Sequence, residues 1–284
     1  MILKQVLRAT ADEFESIGLE DGRLEAEILL RHLLGLDRSA FHCNPELKLT
    51  RDQIQGLSIL VKRRLNREPS AYITGHKEFF GLDFEVAPSV LIPRPETELL
   101  VEKAISVARS VESGRAILAD IGTGCGAIAV ALASQLPDAA IYASDISPLA
   151  LRIARRNINR HGFGDRIVLL EGNLLDPLPE RASIIVANLP YIRTSDLPRL
   201  GPEIAMFEPG AALDGGPDGL LFVRALLRQA RSKLEPGGAI LLEIGQSQGE
   251  EVRRTAGEAF PYAELGSYTD LSGIERVIAV QTRA

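Results

Sequence analysis

Cysteine is scarce in this chain: Cys43 and Cys125 are the only two in 284 residues, too few and too far apart for a disulfide framework or a zinc site. The histidines, His32, His42, His76 and His161, are as scattered, so no metal is implied. Long apolar runs are missing too. No stretch approaches the roughly 20 residues that cross a bilayer, and Met1-Ile2-Leu3-Lys4-Gln5 brings in charge too early for a signal peptide. The expected location is the cytoplasm, away from membranes. Positive charge is not in excess either: the net charge is −6, and residues 1–94 carry thirteen Lys or Arg against fourteen Asp or Glu, a net of −1 that leaves −5 for the rest. Affinity for nucleic acid rests largely on neutralising phosphates, so no direct nucleic-acid binding is expected. The one basic cluster, Lys62, Arg63, Arg64 and Arg67, spreads over more than one helical face and reads as solvated surface. There is no repeat or low-complexity tract.

What is present divides into two patterns. Residues 1–68 show helical spacing, as in Leu24, Ile28, Leu29 and His32, then Ile54, Leu57, Ile59 to Val61 and Leu65, interrupted at Asp21-Gly22 and Asn44-Pro45. Residues 78–86 alternate around Gly81 as a β-hairpin would, and Pro88 and Pro93 to Pro95 mark a connection. From Glu96 onward strands and helices alternate, the pattern of a doubly wound α/β sheet. The expected domains are 1–76, helical; 77–95, a hairpin linker; and 96–284, a Rossmann-like domain.

Two turns carry the chemistry. Ala116 to Ala119 is an apolar run leading into Asp120-Ile121-Gly122-Thr123-Gly124-Cys125-Gly126, and a helical pattern follows from Ala127. Strand, glycine turn and helix in that order let backbone approach a nucleotide-type ligand closely. Gly122, Gly124 and Ala127 also satisfy the dinucleotide fingerprint, which keeps a nicotinamide-dependent dehydrogenase, or a silent binding module, in view. Asp120, an anion expected at the mouth of the loop, would repel phosphates but suit an ammonium and a sulfonium. Asp145, closing the next apolar run, can accept hydrogen bonds from ribose hydroxyls, though Ser147-Pro148 beside it also signals a helix start. Asn173 follows the run Ile167 to Leu170 and is an ordinary turn signal as well.

The second turn, Asn188-Leu189-Pro190-Tyr191, follows the apolar run Ile184 to Ala187. Such a run reads as a buried parallel strand, and the C-terminal ends of these strands are where open α/β sheets bind ligands. Pro190 stiffens the turn and has no N–H of its own. The Asn188 oxygen and a backbone carbonyl can accept from a planar NH2 group, with Tyr191 against its face. A plain strand-ending turn is the competing interpretation.

Placed together, the glycine loop, Asp145 and the Asn188 turn resemble the amino-methylating S-adenosylmethionine-dependent methyltransferases. Within that branch the chain resembles the release factor glutamine methyltransferases, the PrmC/HemK family. The resemblance also covers Glu78-Phe79-Phe80-Gly81, Val90-Leu91-Ile92-Pro93-Arg94-Pro95-Glu96-Thr97-Glu98, Glu208-Pro209, Asp218-Gly219-Leu220 and Gly273-Ile274-Glu275-Arg276-Val277. Two positions depart from it. Leu189 stands where the family usually has proline, a form associated with adenine-N6 methyltransferases acting on RNA, and Cys125 stands where Ser or Thr is common. The resemblance implies a Rossmann-like methyltransferase domain ending in an antiparallel hairpin, preceded by a small helical domain that helps hold the substrate. It also implies methyl transfer from S-adenosyl-L-methionine to the side-chain amide of the glutamine in the Gly-Gly-Gln motif of peptide chain release factors. A monomer is expected. Asn188, Pro190 and Tyr191 would be catalytic, and Asn188 to Tyr191 would bind the substrate, with Leu189 lending only its carbonyl. Gly122, Thr123, Gly124, Cys125, Gly126, Asp145, Asn173 and Asn188 would hold the cofactor.

Overall fold

The computed structural model describes residues 1–110 and 116–283. The chain packs as two compact units, Met1–His76 with Gly201–Phe207, and Lys77–Leu200 with Glu208–Ala284.

The first unit is helical: α1 (Leu3–Ser16), α2 (Gly22–Leu34), α3 (Arg38–Cys43), α4 (Arg51–Leu65) and α5 (Ser70–Thr74), joined by α9 (Pro202–Phe207) from later in the chain. Its core draws Leu3, Val6, Leu7 and Phe14 from α1, Ala26, Leu29 and Leu30 from α2, and Leu57 and Val61 from α4. The buried faces therefore differ from the spacing first read. Leu24 and Ile59 are exposed and His32 faces outward, because the α2 face turns on Ala26, a small residue that a search for large apolar side chains passes over. The basic cluster is solvated only in part: Lys62 is exposed and Arg63 half-exposed. Arg64 is buried against Glu25 (2.9 Å) and Glu203 (3.3 Å), Arg67 reaches Glu203 (3.2 Å), and Arg63 pairs with Glu68 (2.5 Å). Three of the four cations are thus neutralised by carboxylates, one of them more than a hundred residues away, and present little free charge to phosphates.

In the second unit, β1 (His76–Phe79) and β2 (Leu82–Glu85) form a two-stranded sheet across Phe80-Gly81. Both turn residues have positive φ, as a two-residue hairpin turn requires. Then come α6 (Thr97–Ser110), β3 (Ile117–Ile121), α7 (Ala127–Gln135), β4 (Ala140–Asp145), α8 (Pro148–Arg160), β5 (Ile167–Glu171) and β6 (Ala182–Ala187). The chain closes with α10 (Leu221–Lys233), β7 (Leu234–Glu243), α11 (Gly249–Ala259), β8 (Glu264–Thr269) and β9 (Glu275–Gln281). The large sheet runs β5-β4-β3-β6-β7-β9-β8. Strands β3 to β7 are parallel to one another, whereas β9 is antiparallel to both β7 and β8. Every residue of β6 is buried, as a central parallel strand covered on both faces must be.

This order positions the site. From β3 the chain winds outward through β4 to β5, then returns to place β6 on the other side of β3. The carboxyl ends of β3 and β6 flank that reversal, the crevice where open α/β sheets take ligands. The glycine turn leaves β3 there, and the Asn188 turn leaves β6. Among the described residues no helix is long and apolar enough to cross a membrane.

Candidate active site at the carboxyl ends of β3, β4 and β6

A cavity of ≈ 190 Å³ opens at this crevice, lined by Gly122, Gly124, Asp145, Asn173, Asn188 and Pro190 among others. The glycine turn is drawn against β4: the Gly122 and Thr123 N–H groups both donate to the Ser144 carbonyl (2.9 Å each), and Gly124 N–H donates to Asp145 Oδ2 (2.9 Å). Gly122 has φ +75°, and a Cβ built on it would lie 3.2 Å from Leu189 Cδ2. Glycine here meets both a conformational demand and a close approach between the two turns.

Asp145 Oδ1 accepts the Ser147 N–H (2.8 Å), and Ser147 in turn caps α8 through Ala150 N–H. The helix cap is therefore Ser147, which leaves the Asp145 carboxylate on the cavity wall. Burial raises its pKa, and the N–H bonds from Ser147 and Gly124 oppose that rise. It is the one ionisable side chain among the described residues lining the cavity, and no Lys or Arg joins it. A desolvated carboxylate with no cation nearby favours ligand hydroxyls or positive charge and disfavours a pyrophosphate.

Asp120 corrects the sequence reading. It lies within β3, paired across to Ala143 and Val186, and is fully buried. The strand runs on through Ile121 because both neighbours offer register that far. Asp120 Oδ2 accepts from Thr123 Oγ1 (2.6 Å) and Ala129 N–H (3.1 Å), fastening the turn to the first turn of α7, while Oδ1 has no partner. Burial pushes this carboxyl up to about 7, against those two bonds. It braces the loop from behind and does not line the cavity. Thr123, Cys125 and Gly126 also sit behind the wall. Thr123 serves Asp120, and the Gly126 N–H closes onto Thr123 O (2.8 Å). The Cys125 thiol is buried, with its pKa pushed up to about 12 by that burial.

At the second turn Asn188 is half-buried, and its Nδ2 donates to Thr97 Oγ1 (3.1 Å). Its Oδ1 is left as an acceptor. The backbone beyond Pro190 is already committed: Tyr191 O accepts from Gln248 Nε2 (2.9 Å) and Ile192 O from Gly215 N–H (2.7 Å). A Cβ on Gly219 (φ +78°) would overlap Tyr191 O, so this contact admits only glycine. The Tyr191 ring does not line the cavity. It packs at Gly245 and feels the charge of the buried Glu243. Burial foremost, then the charge of Glu243, push the phenol up to about 12. The expectation that Tyr191 lies on the substrate face is thus not what the structure shows; the acid whose charge it feels is more than fifty residues away, which local pattern does not reveal.

Leu189 also contributes more than a carbonyl. Its side chain is 5% exposed and belongs to the core cluster that holds Leu220 and Val223 together with Ile240 and Leu242 of β7. Leu189→Ala is expected to destabilise the fold by about 2–4 kcal/mol, the usual cost of emptying a buried leucine site. A denaturant titration of the variant against the parent chain measures it.

The roles of several residues that hold this geometry escaped the sequence reading. Asn157, fully buried on α8, accepts Glu85 N–H and donates to Glu85 O and Cys125 O, tying β2 to the glycine loop. Glu208 takes the Ile92 N–H (3.2 Å) and pairs with Arg94, which gives the one cation of the proline-rich segment its partner. Nothing around either residue names a partner: Asn157 sits in the mostly polar run Arg155 to Arg160, and Glu208 stands beside Pro209.

The antiparallel β9 near the sheet's end and a cavity wall without Lys or Arg fit an α/β methyltransferase better than a dinucleotide-binding dehydrogenase. The comparisons narrow the class. A model for the PrmC N-terminal domain matches residues 5–75, and one for ribosomal protein L11 methyltransferase (PrmA) matches residues 97–204. The release factor glutamine methyltransferase of Geobacter sulfurreducens is 44% identical over 97% of this chain and 95% of its own length. That of Moorella thermoacetica is 41% identical over 100% and 99%. A methyltransferase from Pyrococcus furiosus shares the fold, with TM-score 0.53 at 17% identity over 81% of this chain and 99% of that one. The chain belongs to the release factor glutamine methyltransferase family. Among the described residues no group of three or more His, Cys, Asp or Glu is placed to hold a metal.

Proposed function

We propose that this enzyme transfers a methyl group from S-adenosyl-L-methionine to the side-chain amide nitrogen of the glutamine in the Gly-Gly-Gln motif of peptide chain release factors. The observation that carries the reading is the commitment of Asn188 Nδ2 to Thr97, which leaves Oδ1 as an acceptor beside the cavity. An acceptor suits a substrate that offers N–H groups.

The residues fit the cofactor. Asp145 supplies a carboxylate to ribose hydroxyls, the cavity wall lacks cations that a pyrophosphate would need, and Gly122 and Gly124 let the backbone come close. Asn173 lines the same cavity and would complete the cofactor contacts. When bound, S-adenosylmethionine supplies an electrophilic methyl group. The protein's part is to position the amide, whose nitrogen is a poor nucleophile because its lone pair is delocalised. Asn188 Oδ1 accepts one amide N–H and the Leu189 carbonyl the other, with Pro190 fixing their spacing. Hydrogen bonds to a group gaining charge contribute ~1.5–3 kcal/mol each, against ~7–11 kcal/mol from orientation and proximity. Positioning is the larger effect, and no general base is required, since the nitrogen becomes acidic once methylated. The helical unit would grip the release factor away from the reacting group, so that its binding energy orients the glutamine.

Incubation with labelled methyl donor and either a release factor or ribosomal RNA tests this. Label is expected in the protein, and label in RNA alone would contradict the proposal.

A further inference from the structure

Gln248 stands at the N-cap of α11, yet its side chain makes no bond to that helix. The position ordinarily favours Ser, Thr, Asp or Asn, whose short side chains reach the first free N–H groups. Here the glutamine amide turns toward the Asn188 turn and is used at both ends. Nε2 donates to the Tyr191 carbonyl at 2.9 Å, and Oε1 accepts the Gly245 N–H at 2.8 Å. Gln248 is 8% exposed, so both bonds are shielded from water.

Two glycines make room for this amide. A Cβ on Gly219 would overlap Tyr191 O and lie 2.6 Å from Gln248 Nε2, and one on Gly245 would lie 2.9 Å from Gln248 Oε1 and 3.1 Å from Tyr191 Cδ2. Stretches far apart in the chain thus converge on one backbone carbonyl. The next residue is held as well: Ile192 O accepts the Gly215 N–H (2.7 Å), and the Ile192 N–H donates to Leu213 O (3.0 Å). At its other end the turn leaves Ala187 of β6, whose register is fixed between Ile121 and Leu242. Between these anchors Pro190 locks only its own φ. Its ψ and the torsions of Tyr191 are set by whatever holds the peptides that follow.

We propose that Gln248 is a positioning residue for methyl transfer: by holding the Tyr191 carbonyl it fixes the exit of the Asn188 turn, and with it the spacing of the two acceptors, Asn188 Oδ1 and the Leu189 carbonyl. The inference rests on the glutamine methyltransferase reading and deepens it. Gln248 is not among the residues that line the cavity, so it acts through the backbone of the turn and touches neither substrate nor cofactor.

The test uses the full chain with a release factor substrate and the variants Gln248→Met, Gly219→Ala and the two combined. Methionine fills a similar volume without either hydrogen bond, and kcat should fall by about 10- to 100-fold, the cost of a displacement of about an ångström at a reacting centre. KM for the release factor and the dissociation constant for S-adenosylhomocysteine should stay near the parental values, because the glycine turn and Asp145 are untouched. A role in folding alone would not produce that split. Gly219→Ala disrupts the same contact from the other side, so the combined variant should lose little more kcat than the more impaired single one. Parental kcat in a Gln248→Met protein that binds S-adenosylhomocysteine normally would overturn the proposal, and so would losses that simply multiply in the combined variant. Should the variants fail to fold, a crystal structure of the parent protein decides: Gln248 Nε2 bonded to Tyr191 O supports the proposal, and an amide turned away from that carbonyl overturns it. A parent enzyme that leaves the release factor unmethylated contradicts the functional reading instead, so the two failures are distinct.

Discussion

Asn188→Ala is expected to lower kcat for methyl transfer by about 100- to 1000-fold, the range seen when one preorganised polar group is removed from a reacting centre. The alanine variant loses the outward acceptor, so a bound glutamine amide keeps its freedom to rotate away from the methyl donor. Stability should change little, because Asn188 is half-buried at the rim of the cavity rather than in the core. S-adenosylhomocysteine binding should weaken only slightly, since the glycine turn and Asp145 remain. Single-turnover kinetics beside calorimetric titration separate these effects. An unchanged kcat would remove Asn188 from the mechanism.

Asp145→Ala acts on the other half of the site. The change deletes the acceptor for Gly124 N–H and Ser147 N–H as well as the carboxylate proposed to take ribose hydroxyls. Two hydrogen bonds to a charged group, at ~1.5–3 kcal/mol each, correspond to roughly 100-fold or more in affinity. The dissociation constant of S-adenosylhomocysteine should rise by about that factor. Asp145→Asn should fall between, since it keeps an acceptor and loses the charge. NAD should bind neither the parent chain nor the variants. An unchanged dissociation constant in Asp145→Ala would mean that the carboxylate serves only the two turns it ties together.

These effects concentrate in parts of the site that local sequence makes visible. The apolar run before Asn188 is a buried central strand because its composition allows nothing else, and the glycines after Ile121 have the positive φ that their turn requires. Asp145 closes β4 where the apolar run ends. What stays hidden depends on partners distant in the chain. Thr97 and Asn188 are ninety-one residues apart, and nothing near either one announces the contact. Arg64 reads as surface because Glu203, its partner, comes from α9. Asp120 reads as a loop residue because its strand lengthens only once β4 and β6 stand on either side. Tyr191 reads as a substrate platform until Glu243 and Gly245 place it behind the wall. Local pattern gives elements and turns, while burial of a polar group is settled by whichever distant residue meets it.

The most direct test is a crystal structure of this protein with S-adenosylhomocysteine and a peptide containing Gly-Gly-Gln. The account predicts the glutamine carboxamide against Asn188 Oδ1 and the Leu189 carbonyl, with the adenosyl group over the glycine turn and beside Asp145. A complex in which the Asn188 turn faces bulk water, away from the adenosyl group, would contradict it.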